Sequence, residues 1–378
     1  MKHLLNLLAA IALLIWGSQM VRTGVLQVFG ANLRNILARS MSNRFSAALS
    51  GMGVTALVQS STATSLMTSS FVGQGLITLP SALAVMRGAD VGTAMMAVLF
   101  SADLSWLSPL FIFVGVLLYI TRKDSKPGRI GRVLIGLGLM LLALRLVVEA
   151  TEPLLQAPAV RTLLASVSSD LFMELLLGAV LAVVSYSSLA VVLLIAAMAS
   201  SGAIPIDVAL GLTLGANLGS GLVAAITTAK SAVEERQVTI GNLLFKIMGV
   251  AIVAPFIGLW TQYVQVYLPN GGQNVVMFHL AFNIFNSLCF IGLTQVVARW
   301  VTAILPKPED ESTSTLLRPR HLDPSALSTP SLAISCAVRE SLHQADVIES
   351  MLIGLQKVAE TDDLKLSEEV RNLEGTVD

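Results

Sequence analysis

Residues 59–93 recur 127 positions further on, at 186–220, without a gap and with eleven of the thirty-five positions identical. The landmarks recur with them. Ser60-Ser61 matches Ser187-Ser188, Gly75 matches Gly202, and Gly88-Ala89-Asp90-Val91-Gly92-Thr93 matches Gly215-Ala216-Asn217-Leu218-Gly219-Ser220. Biased composition inflates chance identities, but it does not hold polar residues and glycines in one ungapped register. The chain therefore reads as an internal duplication, and any fold for it has to place two copies of one unit.

The first copy starts inside an apolar stretch, Gly51 to Gly75, that is interrupted by Gln59, Ser60, Ser61, Thr62, Thr64, Ser65, Thr68, Ser69 and Ser70. A hydrocarbon layer cannot hydrogen-bond such groups, so at membrane depth they face protein or a watery cavity. Two readings are open: a binding site, or close helix packing through small residues. Recurrence of the same landmarks in the second copy favours the site.

The setting is a membrane. The chain is 54% hydrophobic and 13% charged, with a mean hydropathy of +0.76, whereas soluble domains carry about 25% charged residues. Twenty-four basic residues balance twenty-four acidic ones, and no basic stripe with interleaved aromatics appears, so nucleic acid is not an expected partner. Cys289 and Cys336 form no framework, and His3, His279, His321 and His343 are scattered without zinc spacing. With no phosphate loop and no nucleophile elbow, nothing points to an enzyme.

In chain order, residues 4–28 read as a retained first helix, because the apolar run passes Trp16, Gly17 and Met20 without a small-residue cleavage pattern. A basic loop with Arg34, Arg39 and Arg44 follows. The serine-rich stretch has two apolar arms, about 45–58 and 66–71, each shorter than the roughly 20 residues that a span needs. It reads as a re-entrant hairpin with its tip at 59–64. Full spans are expected at 76–101, 106–121 and 130–150, a second hairpin at 171–198, and further spans at 203–228, 238–263 and 275–304. With the first helix this makes about seven full transmembrane helices.

Basic residues set the orientation. Arg34, Arg39, Arg44, Arg122, Lys123, Lys126, Arg129, Arg132, Lys230, Arg236, Arg299, Lys307, Arg318 and Arg320 fall on one side, and only Lys2 and Arg161 on the other. By the positive-inside rule the first group is cytoplasmic, as is the C-terminus. Three spans separate the hairpins, so the repeats are inverted. Inverted repeats with broken helices near the midplane characterise secondary transporters that work by alternating access; a duplicated scaffold or channel is the competing reading.

Residues 1–305 thus form a membrane domain, with repeat one at about 4–121 and repeat two at 130–304. Prolines, acids and a Ser/Thr run make 306–330 a linker. Within 331–378, Val338, Leu342, Ala345, Ile348, Leu352 and Leu355 lie at helical spacing and leave one apolar face, and a second pattern begins at Leu366. That face needs another subunit or further helices of a longer natural chain.

The QSS at 59–61, the SYSS at 185–188 and the GADVGT and GANLGS segments that follow them resemble the type II sodium-phosphate cotransporter family. The resemblance covers about residues 1–305, and the tail is similar to the start of the PhoU-like helical domain carried by bacterial members. It implies an all-α membrane protein of the bacterial inner (plasma) membrane, an inverted-repeat transporter with two re-entrant helical hairpins. The implied activity is symport of inorganic phosphate with the sodium ion as coupling ion and no organic cofactor. Carried over by position, Gln59, Ser60, Ser61, Thr62, Ser187 and Ser188 line the site. Thr64, Asp90, Thr93, Asn217 and Ser220 complete the candidate set, with Gln59, Asp90 and Asn217 as candidate sodium ligands. Tyr186 departs from the expected glutamine, Asp90 from the usual asparagine, and the ending at Ser220 from the usual Thr-Thr.

The chemistry agrees with that reading. Phosphate wants several donors at once, which serine hydroxyls and backbone N–H groups at half-helix N-termini supply; sodium wants oxygens. Ser and Thr suit either. Arg87 and Asp90 at i, i+3 are placed to pair with each other or to serve the substrate. Arg145 with Glu149 reads as a structural pair, Lys246 as snorkelling to the cytoplasmic side, and His279 as a packed polar group. Two other functions stay open, a membrane phosphate sensor or regulator acting through the tail and a transporter of another oxyanion. The lipid bilayer is an expected partner, with a homo-oligomer or a PhoU-like regulatory partner as further possibilities.

Overall fold

The computed structural model describes residues 2–39, 43–102, 104, 106–123, 125–155, 170–264, 266–306, 322, 330–361, 367–368 and 370–371. Among these every regular element is helical and there is no strand. The helices are α1 (Lys2–Arg39), α2 (Arg44–Val58), α3 (Ser61–Gly73), α4 (Leu79–Ser101), α5 (Leu107–Thr121), α6 (Lys126–Leu155) and α7 (Leu171–Ser185). They continue as α8 (Ser188–Ser200), α9 (Ile206–Thr227), α10 (Val233–Val253), α11 (Ile257–Tyr263), α12 (Gly271–Phe290), α13 (Thr294–Ile304) and α14 (Pro330–Thr361).

The duplication is written into the backbone. The starts of α2, α3, α4 and of α7, α8, α9 differ by 127 throughout. Asn43 caps α2 by accepting from the Ser46 N–H, and Asp170, its counterpart, caps α7 by accepting from Phe172 and Met173. Gly75 and Gly202 turn the chain out of α3 and α8 with φ of 70° and 73°, a region that a Cβ disfavours.

Glycines also set the packing of α2 on α4 and of α7 on α9. A Cβ on Gly88 would fall on the Ala48 carbonyl oxygen, and one on Gly215 on that of Leu175. Gly51 and Gly178 stand in the same relation to Val85 and Leu212, and Gly92 and Gly219 to Met52 and Ala179. Six backbone-to-backbone contacts in two sets of three, each pair 127 apart, mean that the two copies share tertiary structure as well as sequence. Close approach through small residues is how helices associate where lipid supplies no hydrophobic drive. α1 lies along α6 through Gly17 and Gly136, and α5 along α6 through Gly115 and Gly131.

α10 fixes the relative direction of the copies. Rising along it, Gly241, Asn242 and Lys246 meet Leu83, Arg87 and Asp90 of α4, also rising. The same rising helix meets α9 in falling order, Thr239 against Thr228, then Leu243 and Lys246 against Gly221. α4 and its counterpart α9 therefore run in opposite directions.

Among the described residues, six helices are long and apolar enough to cross a membrane: Leu4–Gly30, Leu79–Ser101, Lys126–Ala150, Ile206–Thr227, Val233–Tyr263 and Gly271–Ile304. This is an all-α integral membrane protein. The seventh expected span is α5, which is 15 residues and so about 22 Å long against about 30 Å of hydrocarbon. Arg122 and Lys123 close its apolar run early.

The chain divides into two units, Met1–Ala303 and Ile304–Asp378. In the second, α14 carries the expected stripe, with Val338, Leu342, Ile348, Leu352 and Leu355 exposed, while Gly354 packs close to Val370. Nearly all of the 306–330 linker, the onset at Leu366, and Arg161, Lys307, Arg318 and Arg320 lie outside the described residues.

Candidate functional site

Both copies break at the same point and are recapped in the same way. Gln59 ends α2 with φ 59°, ψ 25°, and Tyr186 ends α7 with φ 53°, ψ 23°. The next residue is in each case a serine N-cap: Ser60 Oγ accepts from the Ala63 N–H at 3.2 Å, and Ser187 Oγ from the Ala190 N–H at 3.2 Å. The helix N-termini of α3 and α8 thus begin inside the protein, where Ser61, Thr62 and Ser188 are buried. Partial positive charge and free N–H groups at such ends favour an anion.

The tips differ in lining. Thr64 bonds Thr55 at 2.7 Å across the first hairpin, while Gln59 Oε1 and Ser65 Oγ are buried with no hydrogen-bond partner in the structure. At the second tip Tyr186 is 47% exposed. α1 contributes there: Ser18 Oγ lies 3.5 Å from Ser187 Oγ, and Arg22, one turn on, is within electrostatic range of Tyr186. Sequence reasoning missed both α1 residues because they lie outside the recurring segment.

A buried polar seam runs through α4, α9, α10 and α12. Asp90 accepts from Arg87 at 2.9 Å through Oδ2 and from Lys246 at 2.7 Å through Oδ1, and Arg87 also donates to Asn242 Oδ1. The Arg87 guanidinium sits 4.7 Å over the Phe245 ring. Arg87, Asp90 and Lys246 are 1%, 4% and 2% exposed. Lys246 therefore does not snorkel. Its ammonium is drawn to the Asp90 carboxylate within the bundle, since an unpaired charge there would be costly. Two cations face one carboxylate.

On the other half Asn217 donates to the Thr213 carbonyl at 2.9 Å and meets His279 Nδ1 at 3.0 Å, and Asn283 Nδ2 donates to Asn217 Oδ1 at 3.2 Å. His279, packed and fully buried, is within electrostatic range of Lys246 and Asp90. Thr93 and Ser220 donate to carbonyls of their own helices, Ala89 and Asn217. Arg87 Nε, His279 Nε2 and both amide atoms of Asn286 are buried without a partner, the sort of unmet demand that a ligand or water meets. The sequence singled out Asp90 and Asn217; Asn242, Lys246, Asn283 and Asn286 needed the fold.

Arg145 and Glu149 pair at 2.7 Å, both largely exposed. They line a cavity of about 540 Å³ beside the C-terminal half of α8, with Phe100, Leu193, Ser200 and Asn270. Among the described residues no cluster of His, Cys, Asp and Glu is placed to hold a metal ion.

YjbB of Escherichia coli (strain K12), a protein named for inorganic phosphate export, is 47% identical over 359 residues, 95% of this chain and 66% of its own length. YjbB of Salmonella typhimurium is 46% identical over the same shares. This chain thus spans about two thirds of the length of those relatives. YqeW of Bacillus subtilis (strain 168) is 23% identical over 306 residues, 81% of this chain and 99% of its own. No solved structure matches. The Na+/Pi-cotransporter family matches residues 13–149 and 151–292, and the chain belongs to that family.

Proposed function

We propose that this chain moves inorganic phosphate across the bacterial inner membrane, coupled to sodium, by alternating access around two serine-capped tips. The observation that carries this reading is the duplicated helix break at Gln59-Ser60 and Tyr186-Ser187, in copies whose α4 and α9 run in opposite directions. Family membership agrees with it, and the YjbB relatives are named for phosphate export.

In this reading α2–α3 and α7–α8 are re-entrant hairpins entering from opposite sides. Ser60, Ser61, Thr62, Ser187, Ser188 and the N-termini of α3 and α8 supply donors to the phosphate, and Arg22 supplies a countercharge. The Gln59 and Asn217 amide oxygens serve sodium; Asp90, with both oxygens already bonded to cations, acts through Lys246 and Arg87. The C-terminus is cytoplasmic, and the tail is a PhoU-like regulatory or assembly module.

Liposomes holding the purified protein should exchange labelled phosphate faster with a sodium gradient than with an equal potassium gradient. Flux indifferent to sodium would remove the coupling. Preference for another oxyanion would replace the substrate, and no flux at all would favour the regulator.

A further inference from the structure

One half of the seam carries an ion pair where the other carries a neutral amide pair. α10 and α12 correspond at an offset of 37, with Val238 and Val275, Leu243 and Leu280, Phe245 and Phe282, and Ile247 and Ile284 identical. Their places in the fold correspond as well. Gly73 of α3 abuts Glu235 of α10, and Ser200 of α8, the counterpart of Gly73, abuts Gly272 of α12. In this register Lys246 answers to Asn283, just as Asp90 answers to Asn217. The bonds answer too: Lys246 Nζ donates to Asp90 Oδ1 at 2.7 Å, and Asn283 Nδ2 to Asn217 Oδ1 at 3.2 Å. Two positions far apart in the chain differ together, with the contact between them kept.

We propose that the Lys246 ammonium is a tethered cation standing, in the first half, where a sodium ion binds in the second, so that this transporter couples phosphate to fewer sodium ions than its two-fold architecture would hold. The proposal rests on the sodium-coupled reading above. Ammonium and sodium are both compact cations that seek carboxylate and carbonyl oxygens. With Lys246 on one oxygen of Asp90 and Arg87 on the other, a sodium ion reaching this carboxylate would meet two like charges within a few ångströms, in a medium that screens poorly. Asn217 and Asn283 bring no charge. An amide offers a donor or an acceptor according to which way it is turned. Half a turn of the Asn283 amide sets its oxygen beside that of Asn217, giving a pair of oxygens for a cation. Lysine has no acceptor to offer, and its charge travels with the protein instead of with the ion gradient.

The pairs can be exchanged. Arg87 answers to Leu214 in the same register, so R87L/D90N/K246N gives the first half the amide pair without a stranded cation, and N217D/N283K gives the second half the ion pair. Labelled sodium and labelled phosphate fluxes are counted together in liposomes, and melting of the detergent-solubilised protein is compared in sodium and potassium. R87L/D90N/K246N should move more sodium per phosphate than the parent and gain a larger sodium-specific rise in Tm. In N217D/N283K the sodium needed for half-maximal effect should rise at least about tenfold, the loss of one charge-sensitive ligand, and the sodium-specific rise in Tm should vanish. Unchanged sodium-to-phosphate ratios and unchanged sodium shifts in Tm would overturn the proposal. If R87L/D90N/K246N fails to fold, N217D/N283K decides by the same readouts. A parent protein that moves no phosphate yet melts higher in sodium would sink the transport reading and leave the cation site standing.

Discussion

Gln59 and Tyr186, 127 residues apart, hold the same left-handed backbone, with φ of 59° and 53°, and each hands the chain to a serine that caps the next helix. Neither residue favours that conformation, which costs non-glycine residues on the order of 1 to 3 kcal/mol. Side chains alone do not explain why a glutamine and an exposed tyrosine should share it; the break itself is what both copies preserve.

Tyr186→Gly should accordingly raise stability by about 1 kcal/mol, since glycine adopts this region freely, and Tyr186→Val should lower it by a similar amount because a β-branched side chain fits worst there. Thermal melting in detergent checks the pair. A glycine variant that melts below the parent would mean that the tyrosine ring, not the backbone, holds the tip.

Gly88→Ala and Gly215→Ala should each cost more than about 2 kcal/mol, because the added methyl lands on a backbone carbonyl that cannot move aside. Gly53→Ala, with nothing near its Cβ, should be neutral or stabilise by about 0.5 kcal/mol through helix propensity. Equal effects at all three positions would deny the close approach of α2 to α4 and of α7 to α9.

Much of this was legible in the sequence, and the reason is specific. The copies at 59–93 and 186–220 keep one offset without a gap, so Ser60 with Ser187 and Asp90 with Asn217 could be paired before any fold was known. The apolar run of α5 was legible too, at 106–121 the shortest of the expected spans. Lys246 was misread because composition shows how deep a lysine lies but not which carboxylate it meets. Its counterpart Asn283 lies at an offset of 37, a register that a few identities suggest and the packing of α10 on α3 and of α12 on α8 supports. Ser18 meets Ser187 across 169 residues, a contact that no local pattern shows.

The seam makes a ranked prediction. Asp90→Ala leaves two buried cations without their carboxylate and should destabilise by about 3 to 5 kcal/mol. Lys246→Met removes one of two cations, leaves Asp90 paired with Arg87 and should cost less. Chemical or thermal unfolding of the two variants gives the order, and the reverse order would mean that Lys246, not Asp90, is the hub.

Topology can be read at two symmetry-related positions, Thr78 before α4 and Pro205 before α9, both exposed. In a background with Cys289 and Cys336 replaced, a cysteine at Thr78 should react with an impermeant thiol reagent only from the cytoplasmic side, and one at Pro205 only from outside. Labelling of both from one side would refute the inverted arrangement.

The central claim is that the two tips build one phosphate site, and equilibrium binding of labelled phosphate to purified Ser60→Ala, Ser187→Ala and the double variant tests it most directly. Each hydroxyl lost from a half-buried tip should cost about 1 to 3 kcal/mol, roughly a five- to hundred-fold weakening, and the two losses should not simply add, because both residues would hold one anion. Phosphate affinity unchanged by either substitution in a folded protein, or lowered by one tip alone, would contradict the account.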